Sequence, residues 1–317
     1  MKVIDLSVDS MVTVELEHVY AIGVFDGVHV GHQEIIRTAQ SRARQLGVRS
    51  GVVTLDPHPS VVVGSGQIDL SLMPLQERLE IIDEMSIDTA VVLRFDRKLA
   101  SMSAYSFAKE VLVDRLRIAA AVVGENHSFG RGAEGNAAEL RRIGVDLGFD
   151  VEVVAPVAID GTVVSSTLIR NLVASGDVAQ AGKYLGRPFR MRGVVVEGNH
   201  LGKQLGFPTM NIYPQEEQVV PARGVYLSTV TIEGDQQQRW GICNVGLKPT
   251  VPTDRLVVEI HVLDYDEQVY GRTIEISFLS YLRGERRFSS LDELKAAIAS
   301  DERAARRWIA DKDRCRI

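Results

Sequence analysis

The sequence is poor in cysteine and has no long hydrophobic run. Two cysteines, Cys243 and Cys315, occur among 317 residues. They are too few for a disulfide framework, and their spacing is not that of metal ligands. We therefore expect reduced thiols in a cytoplasmic protein. No apolar run approaches the roughly 20 residues that span a bilayer, and the N-terminus lacks the apolar core of a secretory signal. We expect no membrane partner.

The sequence also lacks an excess of basic residues. Lysine and arginine number 36 against 42 acidic residues, a net charge of −6 at pH 7, which argues against a general nucleic-acid-binding surface. Arginines cluster near the C-terminus, but the interleaved acids predict a solvated helix face: Arg303, Arg306, Arg307, Arg314 and Arg316. The hydrophobic fraction of 45% is ordinary for a globular protein. The length suits two domains.

Apolar runs alternate with amphipathic stretches from residue 19 to about 184. The predicted strands are Val19–Phe25, Gly51–Leu55, Thr89–Phe95, Ala119–Gly124 and Val151–Ala155, and the predicted helices lie near 32–46, 74–85, 103–115 and 136–147. This alternation predicts an α/β fold with a Rossmann-like parallel sheet, helices on both faces, and ligands at the carboxyl ends of the strands. Four polar residues follow such ends and should converge on one cleft: His29, His58, Asn126 and Ser165.

The pattern changes after Gly186-Arg187-Pro188, the predicted hinge, to short β-rich runs, which predict an antiparallel β-barrel. These runs are Met191–Glu197, Val225–Ile232, Trp240–Val245, Leu256–Leu263 and Thr273–Phe278. A terminal amphipathic helix should then direct five residues toward a core: Leu291, Leu294, Ile298, Ala305 and Trp308.

Two histidines occupy a predicted strand-to-helix turn in residues 23–32, Gly-Val-Phe-Asp-Gly-Val-His-Val-Gly-His. The first turn of a helix binds phosphate well, because its N–H groups lack intrahelical partners and the helix dipole is positive there. Gly31 lets a phosphate approach the backbone. The spacing puts His29 and His32 on one side, where both could donate to phosphate oxygens. The bare pattern also fits a solvated histidine pair, so both interpretations stay open.

A run of hydroxyl residues, Ser165-Ser166-Thr167, precedes Arg170 and follows a strand-like stretch. Alone it is an ordinary helix N-cap. As a partner to the histidine turn it would complete a two-sided triphosphate clamp, with the Arg170 guanidinium forking onto phosphate. Together the two segments resemble the nucleotidyltransferase superfamily, which transfers a nucleoside monophosphate and releases pyrophosphate.

Motifs in the second half resemble the riboflavin kinase signature. They are Gly193–Gly198, Gly202 with Gly206–Asn211, Gly224–Tyr226, Asn244–Gly246, Glu259-Ile260-His261 and Tyr270-Gly271. First-half matches include Asp56–Pro59, Glu77-Arg78-Leu79 and Phe129-Gly130. In this order, from about Gly23 to Asp301, the chain resembles the prokaryotic bifunctional riboflavin kinase/FAD synthetases. The resemblance implies a nucleotidyltransferase domain over 1–186 and a riboflavin kinase domain over 187–317.

By this resemblance, riboflavin, FMN and ATP are the small-molecule substrates and Mg²⁺ accompanies ATP. Glu259 would take the proton from the ribityl 5′ hydroxyl, although alone it reads as a solvent-facing strand carboxylate. Thr209 and Asn211 would hold Mg²⁺ and the ATP phosphates. Loop residues whose N–H groups could cradle phosphate are Gly198, Gly202, Lys203 and Gly206.

The adenylyl-transfer half needs no strong base, because its nucleophile would be the anionic phosphate of FMN. It must instead stabilise charge on the α-phosphate and pyrophosphate, a role that suits His29, His32 and Arg170. The further phosphate- or nucleotide-binding residues would be Gly23, Phe25, Gly31, Asn126, Ser165, Ser166 and Thr167. Asp56-Pro57-His58 would face the flavin, or would simply form a rigid loop.

Four residues depart from the family pattern. Lys203 stands where arginine is frequent, Met210 replaces a small residue, Asn126 stands for aspartate, and His127 for an aromatic residue. The alternatives to a bifunctional enzyme are a riboflavin kinase whose first domain is structural or differently specific, and a flavin-binding protein without catalysis. Glu259 beside Thr209 and Asn211 disfavours the latter, since a pure binder needs no base next to a metal site.

Overall fold

The computed structural model describes residues 1–64, 70–198, 202, 205–235, 237–248 and 255–314. Lys203, Cys315 and Arg316 lie outside these residues. The chain forms two compact units, Met1–Ser166 and Thr167–Ile317, and the domain boundary at residue 186 stays a prediction. Within the described ranges, no helix has the length and hydropathy to cross a membrane.

The first unit is built on a six-stranded sheet. Its strands are β1 (Lys2–Leu6), β2 (His18–Ile22), β3 (Arg49–Asp56), β4 (Thr89–Arg94), β5 (Ile118–Gly124) and β8 (Asp150–Val154), with two small hairpins of β6 (Ser128–Phe129) and β7 (Gly135–Asn136), and β9 (Ala158–Ile159) and β10 (Thr162–Val163). The sheet order is β1-β4-β3-β2-β5-β8, and every neighbouring pair is parallel. The predicted parallel sheet is confirmed, and β1 adds an edge strand.

Helices cover both faces of this sheet. They are α1 (Val30–Leu46), α2 (Pro59–Val63), α3 (Leu75–Glu84), α4 (Arg97–Ala100), α5 (Ala104–Ser106) continued by a π-helix (Phe107–Val113), a 3₁₀ turn (Arg131–Ala133) and α6 (Ala137–Leu147). Successive residues of β2 face opposite sides. Tyr20 packs in one buried cluster with the π-helix and α6, and Val19 packs in a second cluster with α1 and α3.

The second unit is an antiparallel sheet that curls toward closure, preceded by two helices. Its elements are α7 (Ser166–Ser175, whose first residue belongs to the first unit), α8 (Val178–Leu185), β11 (Phe189–Val194), β12 (Met210–Ile212), β13 (Gly224–Ile232), β14 (Gln238–Lys248), β15 (Arg255–Val262), β16 (Thr273–Arg283) and α9 (Leu291–Arg314). The strand order is β11-β16-β13-β14-β15-β12. Just beyond the end of β11, a bridge between Val196 and Asn211 joins the two edges of the sheet.

The terminal helix α9 packs on this sheet largely as predicted. Ala305 is fully buried, and the Trp308 ring contacts the Trp240 ring edge-on at 6.0 Å. The prediction for Leu291 was wrong, because this side chain is 56% exposed. It lies at the first helical residue, and the apolar stripe reaches the core only from the second turn. The basic side of α9 is exposed at Arg303, Arg306 and Arg307, as expected for a solvated face.

Candidate active sites

A strained turn links β2 to α1. The strand ends at Ile22 rather than at the predicted Phe25, because the backbone enters the left-handed region at Phe25 (φ 54°), Gly27 (φ 84°) and Val28 (φ 39°). For a bulky or β-branched residue this conformation is a genuine outlier. Each such residue costs of order 1–3 kcal/mol and persists only where surrounding contacts enforce it. The strain marks this turn as a candidate functional site.

The two histidines of the turn lie against each other. Their rings stack with centroids 3.6 Å apart and planes 16° from parallel. His29 is the N-cap of α1, and its Nδ1 accepts a hydrogen bond from the backbone N–H of His32 at 3.2 Å. Because Nδ1 accepts, the neutral ring carries its proton on Nε2 and can donate from that atom. A side chain on Gly31 would meet the His29 ring at 3.1 Å, so glycine lets the ring pack closely on the backbone here.

The carboxylate of Asp26 fixes the turn to residues 71 and 72. It accepts hydrogen bonds from the Leu72 N–H (2.9 Å) and the Ser71 hydroxyl (2.7 Å), and only 2% of the residue is exposed. The backbone carbonyl of Asp26 accepts from the Ser166 hydroxyl at 2.9 Å. Ser166 therefore contacts the histidine turn directly. The convergence of His29, His58, Asn126 and Ser165 on one cleft stays a prediction.

Four of the other residues predicted at the phosphates lie on or near α7, and Gly23 lies close to β2. Ser165 is exposed just before the helix, which begins at Ser166 as the hydroxyl run predicted. Thr167 and Arg170 belong to the second unit, so their contact with the triphosphate stays a prediction. Gly23 lies just after β2, where a side chain would meet the Phe25 ring at 3.2 Å.

Two further loops follow strand ends of the first sheet. Asn126 is exposed after β5, and the adjacent His127 ring stacks on Phe129 at 5.5 Å. Burial lowers the pKa of His127 to about 4, so this ring is neutral at pH 7 and can replace an aromatic residue. Asp56 ends β3, and a cis peptide bond joins it to Pro57.

His58 is the N-cap of α2, accepting from the Ser60 N–H at 3.3 Å. This cap supports the interpretation of a rigid loop at residues 56–58. A contact between this loop and the flavin stays a prediction.

In the second unit, three polar residues stand side by side across neighbouring strands. The register pairs Asn211 of β12 with Glu259 of β15, and Glu259 with Asn244 of β14. Directly opposed residues of paired strands point to the same face. The amide predicted to hold a metal and the carboxylate predicted to accept a proton are therefore immediate neighbours, although they are 48 positions apart in the sequence.

Two cavities meet at Thr209. The first, of about 180 Å³, is lined by Thr209, Asn244, Glu259 and His261, and by Phe288, Leu294, Ile298 and Asp301 at its C-terminal side. The second, of about 310 Å³, is lined by Thr209 with Gly198, Met210, Asn211 and Tyr265. Glu259 lines the first cavity, and Asn211 lines the second. Thr209 is shared by both.

Asn211 has an oxygen suited to a ligand. Its residue is 4% exposed, and within the described part of the chain its Oδ1 is buried and accepts no hydrogen bond. Such an atom fits a hard cation, because Mg²⁺ prefers oxygen ligands. A side chain on Gly198 would come within 2.4 Å of the Asn211 amide nitrogen, and one on Gly202 within 3.1 Å of the Thr209 hydroxyl. Gly206 (φ 88°) turns the loop.

Two neighbouring side chains were not assigned roles from the sequence. The His261 ring contacts the Pro208 carbonyl oxygen through Nδ1 at 2.9 Å, directly before Thr209. Arg283 donates two hydrogen bonds to Asp301, at 2.9 and 2.7 Å, which tie β16 to α9 beside the first cavity. His261 belongs to a motif that the sequence displays, whereas nothing in the local sequence marks Arg283.

Comparison with known proteins assigns both halves. A family model described as FAD synthetase matches residues 12–168, and one described as riboflavin kinase matches residues 185–309. The bifunctional riboflavin kinase/FMN adenylyltransferase of Escherichia coli K12 is 37% identical over 92% of each chain. The enzymes of the same name from Pseudomonas fluorescens (40% identity; 92% of this chain and 93% of the relative) and Bacillus subtilis (31%; 94% of each) also match.

A solved structure shares the whole architecture. The crystal structure described as a macrolide-efflux protein from Streptococcus pneumoniae superposes with a TM-score of 0.88 at 28% identity, and the match covers 96% of this chain and 99% of that one. With two sites on two folds, two family models and full-length relatives, the chain belongs to the family of bifunctional riboflavin kinase/FMN adenylyltransferases.

Proposed function

We propose that the two activities of this enzyme use the two sites described above, the histidine turn after β2 and the cluster of Thr209, Asn211 and Glu259. The enzyme phosphorylates riboflavin to FMN with ATP and then adenylylates FMN to FAD, releasing pyrophosphate. Both family models match, which favours this function over a kinase with a merely structural first domain. The assignment of residues to steps is our proposal.

In the kinase step, the ribityl 5′ hydroxyl attacks the γ-phosphorus of ATP, and the bond from that phosphorus to the β-phosphate oxygen breaks. Glu259 accepts the hydroxyl proton, so FMN and ADP leave. The observation that carries this assignment is the pairing of Glu259 with Asn211 across β15 and β12. A base must meet the alcohol, so riboflavin takes the cavity of Glu259 and ATP takes the cavity of Asn211, with Thr209 between them.

The Thr209 hydroxyl and the buried Oδ1 of Asn211 would hold Mg²⁺. When bound, this ion neutralises charge on the ATP phosphates. Gly198, Gly202 and Gly206 leave room for phosphate beside these two side chains, and Lys203 supplies a cation from the same loop of the sequence.

In the adenylyl-transfer step, a phosphate oxygen of FMN attacks the α-phosphorus of ATP and pyrophosphate leaves. No proton must be removed, so the site needs donors rather than a base. His29 and His32 donate to the phosphates from the N-terminus of α1, with Gly23, Phe25 and Gly31 shaping the turn. Ser165, Ser166, Thr167 and Arg170 act from the start of α7. Asn126 contacts adenine or ribose, and Asp56, Pro57 and His58 face the flavin. The enzyme acts in the cytoplasm.

Two variants of the full chain test this division of labour. Each is supplied with riboflavin, Mg²⁺ and ATP, or with FMN in place of riboflavin, and the flavins are resolved by chromatography. Glu259→Gln should lower FMN formation by on the order of 10²-fold or more, because the amide cannot accept the proton. It should leave the conversion of supplied FMN to FAD nearly unchanged.

His32→Ala should show the reverse pattern. Its turnover of FMN to FAD should fall by about 10²–10³-fold, the usual loss for one such donor. Flavin binding and riboflavin phosphorylation should survive, since the donor acts mainly on the transition state. Equal loss of both reactions in either variant would refute the assignment of that residue.

A further inference from the structure

The strained turn at residues 25–28 is held by contacts from several elements. The Val24 carbonyl accepts from the Thr54 hydroxyl at 2.8 Å, and the Val28 carbonyl accepts from the Gln33 side chain at 3.0 Å. Asp26 is fixed on both its side chain and its carbonyl, as described above. Left-handed backbone at Phe25 and Val28 persists only while such contacts outweigh its cost. A residue that fixes the segment leading into the turn therefore controls the positions of His29 and His32.

Arg78 of α3 is that residue. It is 2% exposed, and its Nη1 lies 3.0 Å from the Val24 carbonyl, 3.1 Å from the Thr54 hydroxyl and 3.1 Å from the Leu55 carbonyl. One guanidinium nitrogen thus joins Val24, which lies between β2 and the strained turn, to the end of β3, which leads into residues 56–58. These are the two segments that would carry the phosphate donors and the flavin contact.

A buried cation at this position is costly to keep, and two carboxylates stabilise it. Burial lowers the pKa of Arg78, whereas the negative charges of Asp26 and Asp56 raise it. Asp26 belongs to the strained turn and Asp56 to residues 56–58, the two segments that Arg78 joins. A neutral apolar side chain could fill the same volume without these costs. The choice of arginine therefore points to a geometric task at the strand ends.

We infer that Arg78 is a positioning residue for adenylyl transfer: it fixes the histidine turn relative to the Asp56–His58 segment. The inference rests on the proposed location of this reaction at His29 and His32. Arg78 itself contacts neither substrate. It sets the distance between an FMN phosphate and the donors that act on the α-phosphorus, and misplacement of about 1 Å can cost a reaction about 10²-fold.

The test compares Arg78→Met and Arg78→Lys with the unaltered chain, measuring kcat and KM for supplied FMN and for ATP. Arg78→Met removes every donor and should lower kcat for FAD formation about 10²-fold while both KM values change less than about threefold. Arg78→Lys keeps a cation with three donors on one atom, and should retain at least about a tenth of kcat. Riboflavin phosphorylation by the same molecules reports whether the second unit is intact.

Ile82→Ala is the matched control, because Ile82 is also fully buried on α3 but has no polar atom. It should lower the melting temperature of the first unit without the kcat loss of Arg78→Met. If Arg78→Met does not fold, Thr54→Val tests the inference in its place. It removes one of the three acceptors of the Arg78 guanidinium and leaves the arginine unchanged. It should lower kcat about tenfold.

Normal kcat in folded Arg78→Met, a loss confined to KM, or an equal kcat loss in Ile82→Ala would each overturn the inference. Normal kcat in Thr54→Val would do the same where that variant decides. Absence of FAD formation by the unaltered chain would instead contradict the proposed function, so the two failures are distinguishable.

Discussion

At the scale of single residues, Met210 departs from the family pattern between the two predicted metal ligands. Its side chain is 8% exposed, and the register pairs it with Ile260, which is fully buried. Neighbouring residues of a strand face opposite sides, so Met210 packs inward while Asn211 lies beside Glu259. Met210 also lines the larger of the two cavities. Methionine adapts to irregular space of this kind.

Met210→Ala should therefore affect stability more than catalysis. Loss of a buried methionine side chain typically costs about 2–5 kcal/mol of unfolding free energy, whereas the kinase kcat should stay within about threefold. Chemical denaturation and steady-state kinase assays measure the two effects. Thr209→Ala is the comparison, because it removes a proposed ligand and should weaken the use of Mg²⁺-ATP. A collapse of kcat in Met210→Ala would show that the family difference affects the chemistry.

Residues that act through local sequence were predictable, and those that act across the fold were not. The spacing of His29 and His32 on a helix start was enough to predict that they share one side of the turn. Arg78 lies on a different helix and donates to the carbonyls of Val24, after β2, and of Leu55, at the end of β3. Its motif was visible in the sequence, but its buried position depends on tertiary packing, which no local pattern reports.

At the scale of secondary-structure elements, errors arose where the backbone breaks an apolar pattern. Residues 19–25 form one apolar run, yet β2 ends at Ile22 because Phe25 has a positive φ. Hydrophobic periodicity gives burial, and it carries no information on the sign of φ. Hydrophobic periodicity over 103–115 also did not distinguish an α-helix from the observed α5 and π-helix. The strand β12 has only three residues, too few for a period.

The segment that leads from β11 toward β12 gives a test at this scale. A side chain on Gly198 would approach the Asn211 amide nitrogen to 2.4 Å, a separation that no packed structure tolerates. Gly198→Ala should displace the Asn211 side chain and raise KM for ATP in the kinase reaction by about tenfold, with FAD formation from FMN unchanged. Steady-state kinetics of both reactions measure this effect.

Gly271→Ala is the matched control for Gly198→Ala. Gly271 has a positive φ (79°), and an added side chain there meets no atom within 4 Å. It therefore carries backbone strain without a clash at Asn211, and should lower stability while leaving KM for ATP near its normal value. An unchanged KM in Gly198→Ala would contradict the proposed role of Asn211.

At the scale of the whole molecule, the two units fold around separate cores, and α8 belongs to the second. Its buried residues Val178, Tyr184 and Leu185 pack on β11 and β16. Burying three such side chains contributes on the order of 5 kcal/mol, which is comparable with the stability of an entire domain.

A fragment that begins at Thr167 should therefore phosphorylate riboflavin, whereas one that begins at Arg187 should be markedly less stable. Circular dichroism on heating compares the two fragments, and a kinase assay measures activity. Neither should form FAD, because both lack His29 and His32. Equal melting temperatures would show that α8 is dispensable for the barrel.

The bridge between Val196 and Asn211 has a consequence for the energetics of the enzyme. The Val196 N–H donates to the Asn211 carbonyl at 2.8 Å, so the backbone of a proposed ligand residue also fastens the seam of the barrel. Whatever binds the Asn211 side chain then favours the fastened form, by a free energy that grows with the ligand concentration relative to its Kd. Under the proposed role of Asn211, bound nucleotide would therefore also stabilise the closed sheet against unfolding.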